Sequence, residues 1–127
     1  MKLIIGGYAQ GKLRYVLQRY ALDKTMVLDG TVPGDETPRD KTVIVNHFHN
    51  WVRACILQGD CPEEAIRMVL ERHPDCIIIS NEIGSGIVPA DASDREYRER
   101  TGRILVELAD RAEEVERVIC GIGQRIK

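Results

Sequence analysis

The sequence lacks the features that would tie it to a membrane, a nucleic acid or a disulfide framework. No apolar run approaches the roughly 20 residues that a membrane span requires, and the N-terminus has no charged-then-apolar leader layout. Neither sign of charge dominates. The balance of 18 Lys and Arg against 20 Asp and Glu gives a net charge of −2, which argues against a nucleic-acid partner held by phosphate neutralisation. Cysteine is present at positions 55, 61, 76 and 120 but never as a CxxC pair. Neither a zinc ribbon nor a dense secreted disulfide scaffold is therefore expected. Four free thiols are expected instead, with Cys76 and Cys120 packed as small hydrophobes beside strands. These absences leave a cytoplasmic protein by default, with no membrane and no nucleic acid as partner.

What is present is an ordinary globular mixture. The 127 residues are 43% hydrophobic and 30% charged, a composition and length that suit one domain over residues 1–127 with a real core. Met1–Ile5 is a short apolar run ending at Gly6-Gly7, a strand entering a tight loop. Leu13, Val16, Leu17, Tyr20 and Ala21 then recur on one face of an amphipathic helix beginning at Lys12. Thr25–Leu28 reads as a second strand stopped by Asp29-Gly30, and Thr31–Lys41 as a loop rich in Pro, Gly and charge.

Thr42–Val45 is a third strand, with a helix over Asn46–Gln58 after it. Pro62 opens a further helix, with Asp60 or Cys61 as N-cap, Glu63-Glu64 in its first turn and Pro74 as its stop. The unbroken β-branched run in Cys76–Ile79 marks a strand covered on both faces. Asn81–Pro89 is a glycine-punctuated loop. A long helix follows from about Asp91 to Ala112, with Tyr97, Thr101, Ile104, Leu105, Leu108 and Ala112 on one face. Val115–Cys120 is read as the last strand and Gly121–Lys127 as a tail. Strands alternating with helices imply a parallel sheet covered on both sides.

The segment Gly6, Gly7, Tyr8, Ala9, Gln10, Gly11, Lys12 fits the first seven positions of the phosphate-binding loop GxxxxGK(S/T). In such a loop, backbone N–H groups and the following helix N-terminus converge on phosphate oxygens, and the lysine adds a point charge. The eighth position, whose hydroxyl would hold Mg²⁺, is Leu13, and leucine cannot coordinate a hard cation. Where such enzymes carry an acidic residue at a strand end, this chain has Asn46 followed by His47, Phe48 and His49. Both expected magnesium contacts are thus missing or weakened together. The alternative reading is that the glycines only make the turn and Lys12 is solvated.

From Ser80 onward the segments SNEIGSGIVP, then Arg95, Tyr97, Arg98, Glu99, Gly102 and Arg103, then EVERVICGIGQRIK resemble one family. It is the adenosylcobinamide kinase / adenosylcobinamide-phosphate guanylyltransferases. The glycine loop and the stretch Val45–Trp51, with Trp51 retained, are similar to that family's corresponding segments. The resemblance implies a P-loop protein that uses ATP or GTP to phosphorylate the hydroxyl of a cobinamide-type corrinoid in cobalamin biosynthesis. It also implies a histidine that is guanylylated, within a motif between the second and third strands. The interval Thr31–Lys41 contains neither histidine nor tryptophan, so that motif is absent. The family's Asn-Gln pair in the long helix is Leu105-Val106 here. The resemblance leaves room for a homo-oligomer.

Several residues admit two readings. Glu82 places a metal or a substrate hydroxyl, or it only caps backbone N–H groups in a turn. Gly84 and Gly86 are read as permitting positive φ. Arg95 and Arg98, three apart on a helix, grip phosphate or belong to a solvated face. His47 and His49 are weighed as metal ligands or as a replacement nucleophile; no metal site is assigned. His73 is read as a helix C-terminal dipole partner, and Trp51 as core.

The expected architecture is a three-layer α/β, P-loop NTPase-like domain with a mostly parallel sheet of about five strands. Ligand should bind at the C-terminal strand edge, near Gly6–Leu13, Asn46 and Glu82. Lys12 and Glu82 are the candidate catalytic residues, Gly6–Leu13 the nucleotide-binding segment, and Asn46, His47, Arg95 and Arg98 candidate substrate contacts. Two functions follow: a nucleotide-dependent phosphotransferase without guanylyltransferase activity, or a non-catalytic protein that binds a nucleotide, a corrinoid or a protein.

Overall fold

The computed structural model describes residues 1–83 and 91–127. The strands are β1 (Lys2–Gly6), β2 (Val27–Asp29), β3 (Ile44–Asn46), β4 (Ile77–Asn81), β5 (Glu114–Ile119) and β6 (Ile122–Arg125). The helices are α1 (Lys12–Arg19), α2 (Phe48–Gln58), α3 (Pro62–Arg72) and α4 (Ala92–Arg111). All six strands join one sheet in the order β2-β3-β4-β1-β5-β6. Every pairing is parallel except β5 with β6.

Alternation along the strands sends side chains to two cores. Leu3, Val45, Ile78 and Val115 face Phe48, Trp51, Ile66, Ile104 and Leu108, contributed by α2, α3 and α4. Ile4, Ile44, Ile77, Ile79 and Val118 face Val16 of α1. The fold is therefore a three-layer α/β sandwich of the P-loop type, with β1 and β4 central and apolar on both faces. Trp51 lies in the first core, its ring 5.4 Å from that of Phe48. Truncating an aromatic in such a position typically costs about 3–5 kcal/mol.

Several boundaries differ from the sequence reading. The sheet has six strands because residues 121–127 do not form a tail. Cys120 (φ 50°) and Gly121 (φ 75°) are both left-handed, the geometry of a two-residue hairpin turn that folds β6 back on β5. Cys120 is exposed in that turn rather than packed against a strand, whereas Cys76 is buried. The second strand begins at Val27 because Lys24–Met26 forms a 3₁₀ turn, with the Asp23 carboxylate accepting from the Thr25 N–H. Asp29 does not stop that strand; it belongs to it and pairs with Asn46. Asn46 in turn ends β3, and α2 starts two residues later, at Phe48.

Pro62 sits at the start of α3, with Cys61 in the capping position but without a side-chain cap bond. Glu63 in that first turn pairs with Arg100 of α4 at 2.9 Å, joining two helices of one layer. The hydrogen bond to Arg100 holds the Glu63 carboxyl down at about 2. His73 is buried at the C-cap position of α3, and its Nδ1 has no hydrogen-bond partner among the described residues.

Candidate functional site

Gly6 ends β1 where it runs beside β5. A Cβ at this position would stand 2.5 Å from the Val118 carbonyl oxygen, so only glycine fits. The chain then turns through Ala9 (φ 55°) and Gly11 (φ 80°), and α1 begins at Lys12. No side chain caps α1 and its first turn carries no acid, so the N-terminal N–H groups and the positive end of the helix face open space. The loop tip is tied to the β5–β6 turn. Gln10 accepts from the Gly121 N–H through its backbone oxygen at 2.8 Å, and from the Cys120 N–H through Oε1 at 2.7 Å.

Lys12 points inward and is only 8% exposed. Its ammonium donates to the Gly7 carbonyl at 2.6 Å and to Asn81 Oδ1 at 2.8 Å. Burial lowers its pKa, partly opposed by the charge of Glu82. Asn81 is in register with Gly6 across the β1–β4 pair, so the strand ends, not the loop alone, hold the lysine. The Asn81 N–H donates to Nδ1 of His49 at 3.1 Å. That bond fixes Nδ1 of His49 as an acceptor and leaves its proton on Nε2. His49 is 7% exposed, and burial, then the neighbouring His47 and Lys12, push its pKa down to about 4.

His47 is a non-glycine residue in the left-handed region (φ 53°, ψ 47°) at the N-cap position of α2. Such a backbone costs about 1–3 kcal/mol unless the surroundings impose it. Its Nδ1 lies 2.6 Å from Asp29 Oδ1, and Asn46 Nδ2 donates to the same oxygen at 3.0 Å. Residues 8–14, Asn46, His47 and Asn81 line one cavity of about 330 Å³. A second, of about 470 Å³, lies on the other side of the loop tip, against Arg14, Tyr15, Gln18 and Cys120.

The structure thus brings Tyr8–Leu13, Asn46 and His47 to one cavity that opens at the C-terminal ends of the strands, with Gly6 and Gly7 leading into it. It does not bring Glu82 there. The Glu82 backbone N–H donates to the Gly6 carbonyl at 2.9 Å, but its carboxylate pairs with Arg117 of β5 at 2.9 Å and lines an apolar groove beside α4. Arg95 is exposed and Arg98 half-buried on the first turns of α4; neither lines the loop cavity. Gly84 and Gly86 lie outside the described residues. Asn81 and Asp29, which the sequence reading did not assign, join the candidate site, and His49, weighed there as a metal ligand or nucleophile, instead accepts from the Asn81 N–H. Asn81 stood inside the segment that carried the family resemblance, which was the available signal for it.

The side chains present do not fit a magnesium ion of the usual kind. The Leu13 side chain offers no oxygen, and Asn46 presents a neutral amide, its Nδ2 donating to Asp29, where a carboxylate would bring charge. Among the described residues there is no group of three His, Cys, Asp or Glu side chains placed to hold a metal, and no helix is long and apolar enough to cross a membrane.

Residues 21–126 match the family described as cobinamide kinase / cobinamide phosphate guanyltransferase. A 51-residue stretch is 43% identical to the bifunctional adenosylcobalamin biosynthesis protein CobU of Salmonella typhimurium, covering 40% of this chain and 28% of that protein. The CobU of Escherichia coli K12 matches with the same identity and coverage. The match thus spans under a third of either relative's length.

Proposed function

The chain belongs to the cobinamide kinase / cobinamide phosphate guanyltransferase family, and from that premise we propose that it is a nucleotide-binding protein of cobalamin biosynthesis. In this reading residues 1–127 act as one domain. ATP or GTP binds with its phosphates on Gly6–Leu13, and any transfer is of the kinase type, to the hydroxyl of a cobinamide-type corrinoid. The observation that carries the reading is the arrangement of Lys12. Its ammonium is held at the centre of the loop by two neutral acceptors, Gly7 O and Asn81 Oδ1, which an incoming phosphate oxygen can replace with a charge-assisted bond.

Transfer of the phosphoryl group spreads negative charge over its oxygens. The loop N–H groups, the start of α1 and Lys12 are the groups placed to neutralise it. Guanylyl transfer is not part of the proposal, because residues 31–41 contain no histidine to carry the nucleotide. A second reading, binding of a nucleotide or a corrinoid without turnover, is favoured by Leu13 and Asn46, which bring neither a hydroxyl nor a carboxylate to the loop cavity.

The test is thermal denaturation with ATP, GTP or adenosylcobinamide, with and without Mg²⁺, on wild type and Lys12→Ala, followed by assay of phosphate transfer. A nucleotide at 100 times its Kd should stabilise wild type by about 2.7 kcal/mol and the variant by far less. An equal shift in both proteins would refute the phosphate role of Lys12. Bound nucleotide with no phosphocobinamide formed would select the second reading.

A further inference from the structure

His47 and Asp29 form a dyad at the mouth of the loop cavity that nucleotide binding does not require. We propose that His47 is the general base of phosphoryl transfer, positioned by Asp29, which rests on the phosphotransfer reading above. A carboxylate only accepts hydrogen bonds, so a contact of 2.6 Å from His47 Nδ1 to Asp29 Oδ1 places a proton on Nδ1. The lone pair of the neutral ring is then on Nε2. Asn46 Nδ2 also lies 3.4 Å from Nδ1, a much longer contact than that nitrogen makes with Asp29, and donates to the Asp29 carboxylate at 3.0 Å.

Three further features fit a base rather than a surface contact. First, Asp29 ends β2 in register with Asn46 on the neighbouring strand, and His47 follows directly after β3, so the sheet sets the spacing of the two backbones although both side chains are exposed. Second, the His47 ring makes no cap bond to α2, although the residue occupies the N-cap position with a left-handed backbone. Third, His47 shares its cavity with Lys12 and Asn81, so a hydroxyl placed there faces phosphate bound on the loop. The other histidine cannot take this role. His49 is buried with its Nδ1 occupied by the Asn81 N–H, and its ring stands 5.7 Å from that of His47.

In the proposed step the acceptor hydroxyl gives its proton to His47 Nε2. Its oxygen lone pair forms the new bond to the terminal phosphorus of the nucleoside triphosphate. The bridging P–O bond breaks, and its electron pair leaves with the nucleoside diphosphate. The imidazolium is held by the Asp29 carboxylate until it loses the proton to water. Asp29 touches neither substrate and is a positioning residue.

The experiment combines kinetics, binding and nitrogen NMR on wild type, His47→Ala and Asp29→Asn, with ATP as donor and adenosylcobinamide or water as acceptor. His47→Ala should lower kcat about 100-fold or more, in the range general-base catalysis supplies, with Kd for ATP changed less than twofold. Asp29→Asn should lower kcat at least tenfold while leaving KM for ATP alone. Two-bond proton–nitrogen spectra should show His47 protonated on Nδ1 in wild type and on Nε2 in part of the Asp29→Asn protein. Retention of kcat within threefold in His47→Ala overturns the inference, as does an Nε2-protonated His47 in wild type. Wild type that binds ATP but transfers phosphate to neither acceptor also overturns it, while leaving nucleotide binding intact. Failure of wild type to bind ATP removes the underlying functional reading and the inference with it.

Discussion

Lowering the pH from 7 to 5 should cost the folded chain about 2 kcal/mol through His49 alone. The ring is buried under the loop, and burial, then His47 and Lys12, bring its pKa from 6.5 to about 4. Between those values the unfolded chain binds a proton at this position and the folded chain does not, so stability rises with pH there. The contribution is complete above about pH 6.5 and is lost as the pH falls through that window towards about 4. Between pH 7 and pH 5 roughly one and a half pKa units of the difference are drawn on, at about 1.4 kcal/mol per unit. Glu63, held down at about 2 by Arg100, acts in a separate window, because its stabilisation is lost only below the ordinary carboxylate range. Urea unfolding followed by circular dichroism at the two pH values measures the effect. His49→Asn keeps an oxygen to accept from the Asn81 N–H and cannot titrate. Wild type should lose about 2 kcal/mol and the variant under about 0.5 kcal/mol of its own stability. Equal losses in the two proteins would refute the assignment to His49.

Two further outcomes concern the contacts that fix α1 to the sheet. A Cβ at Gly123 would collide with the Tyr15 ring, so Gly123→Ala should displace that ring and break its hydrogen bond to Glu116, 2.7 Å long. The expected cost is about 1–3 kcal/mol, largely absent in a Tyr15→Ala background; equal costs in both backgrounds would show that the ring is not the obstacle. The Tyr20 hydroxyl donates to the buried Glu116 carboxylate at 3.0 Å. Tyr20→Phe should therefore destabilise by about 1–3 kcal/mol, read as a fall in Tm, and an unchanged Tm would show that Tyr15 alone satisfies the carboxylate.

Much of the fold is local in origin and was legible. The β-branched run ending at Ile79, the stripe of α4 and the strand-loop-helix around Gly6–Lys12 each carry their own pattern. Residues 121–127 did not, because β6 depends on Cys120 adopting a left-handed backbone that its residue type does not announce. Site residues divide in the same way. Lys12 and its glycines form one continuous motif. Asn81 and Asp29 gain their roles only through strand register, opposite Gly6 and Asn46. Glu82 was expected at the loop cavity, and the motif places its backbone correctly beside Gly6. Its carboxylate turns away because Arg117 waits on β5, and nothing near Glu82 in sequence reveals that β5 lies alongside β1.

The two hydrogen bonds from Gln10 to residues 120 and 121 have a consequence for how the protein matures. A ribosome makes the glycine loop before the hairpin whose contacts fix its tip, and that hairpin is synthesised more than a hundred residues later. Until that hairpin closes, the loop has its composition but not its shape. Closing contacts of such long sequence separation form late and slowly. A nascent chain halted before residue 120 should carry every anion-binding residue of the loop and still lack the strap that shapes it.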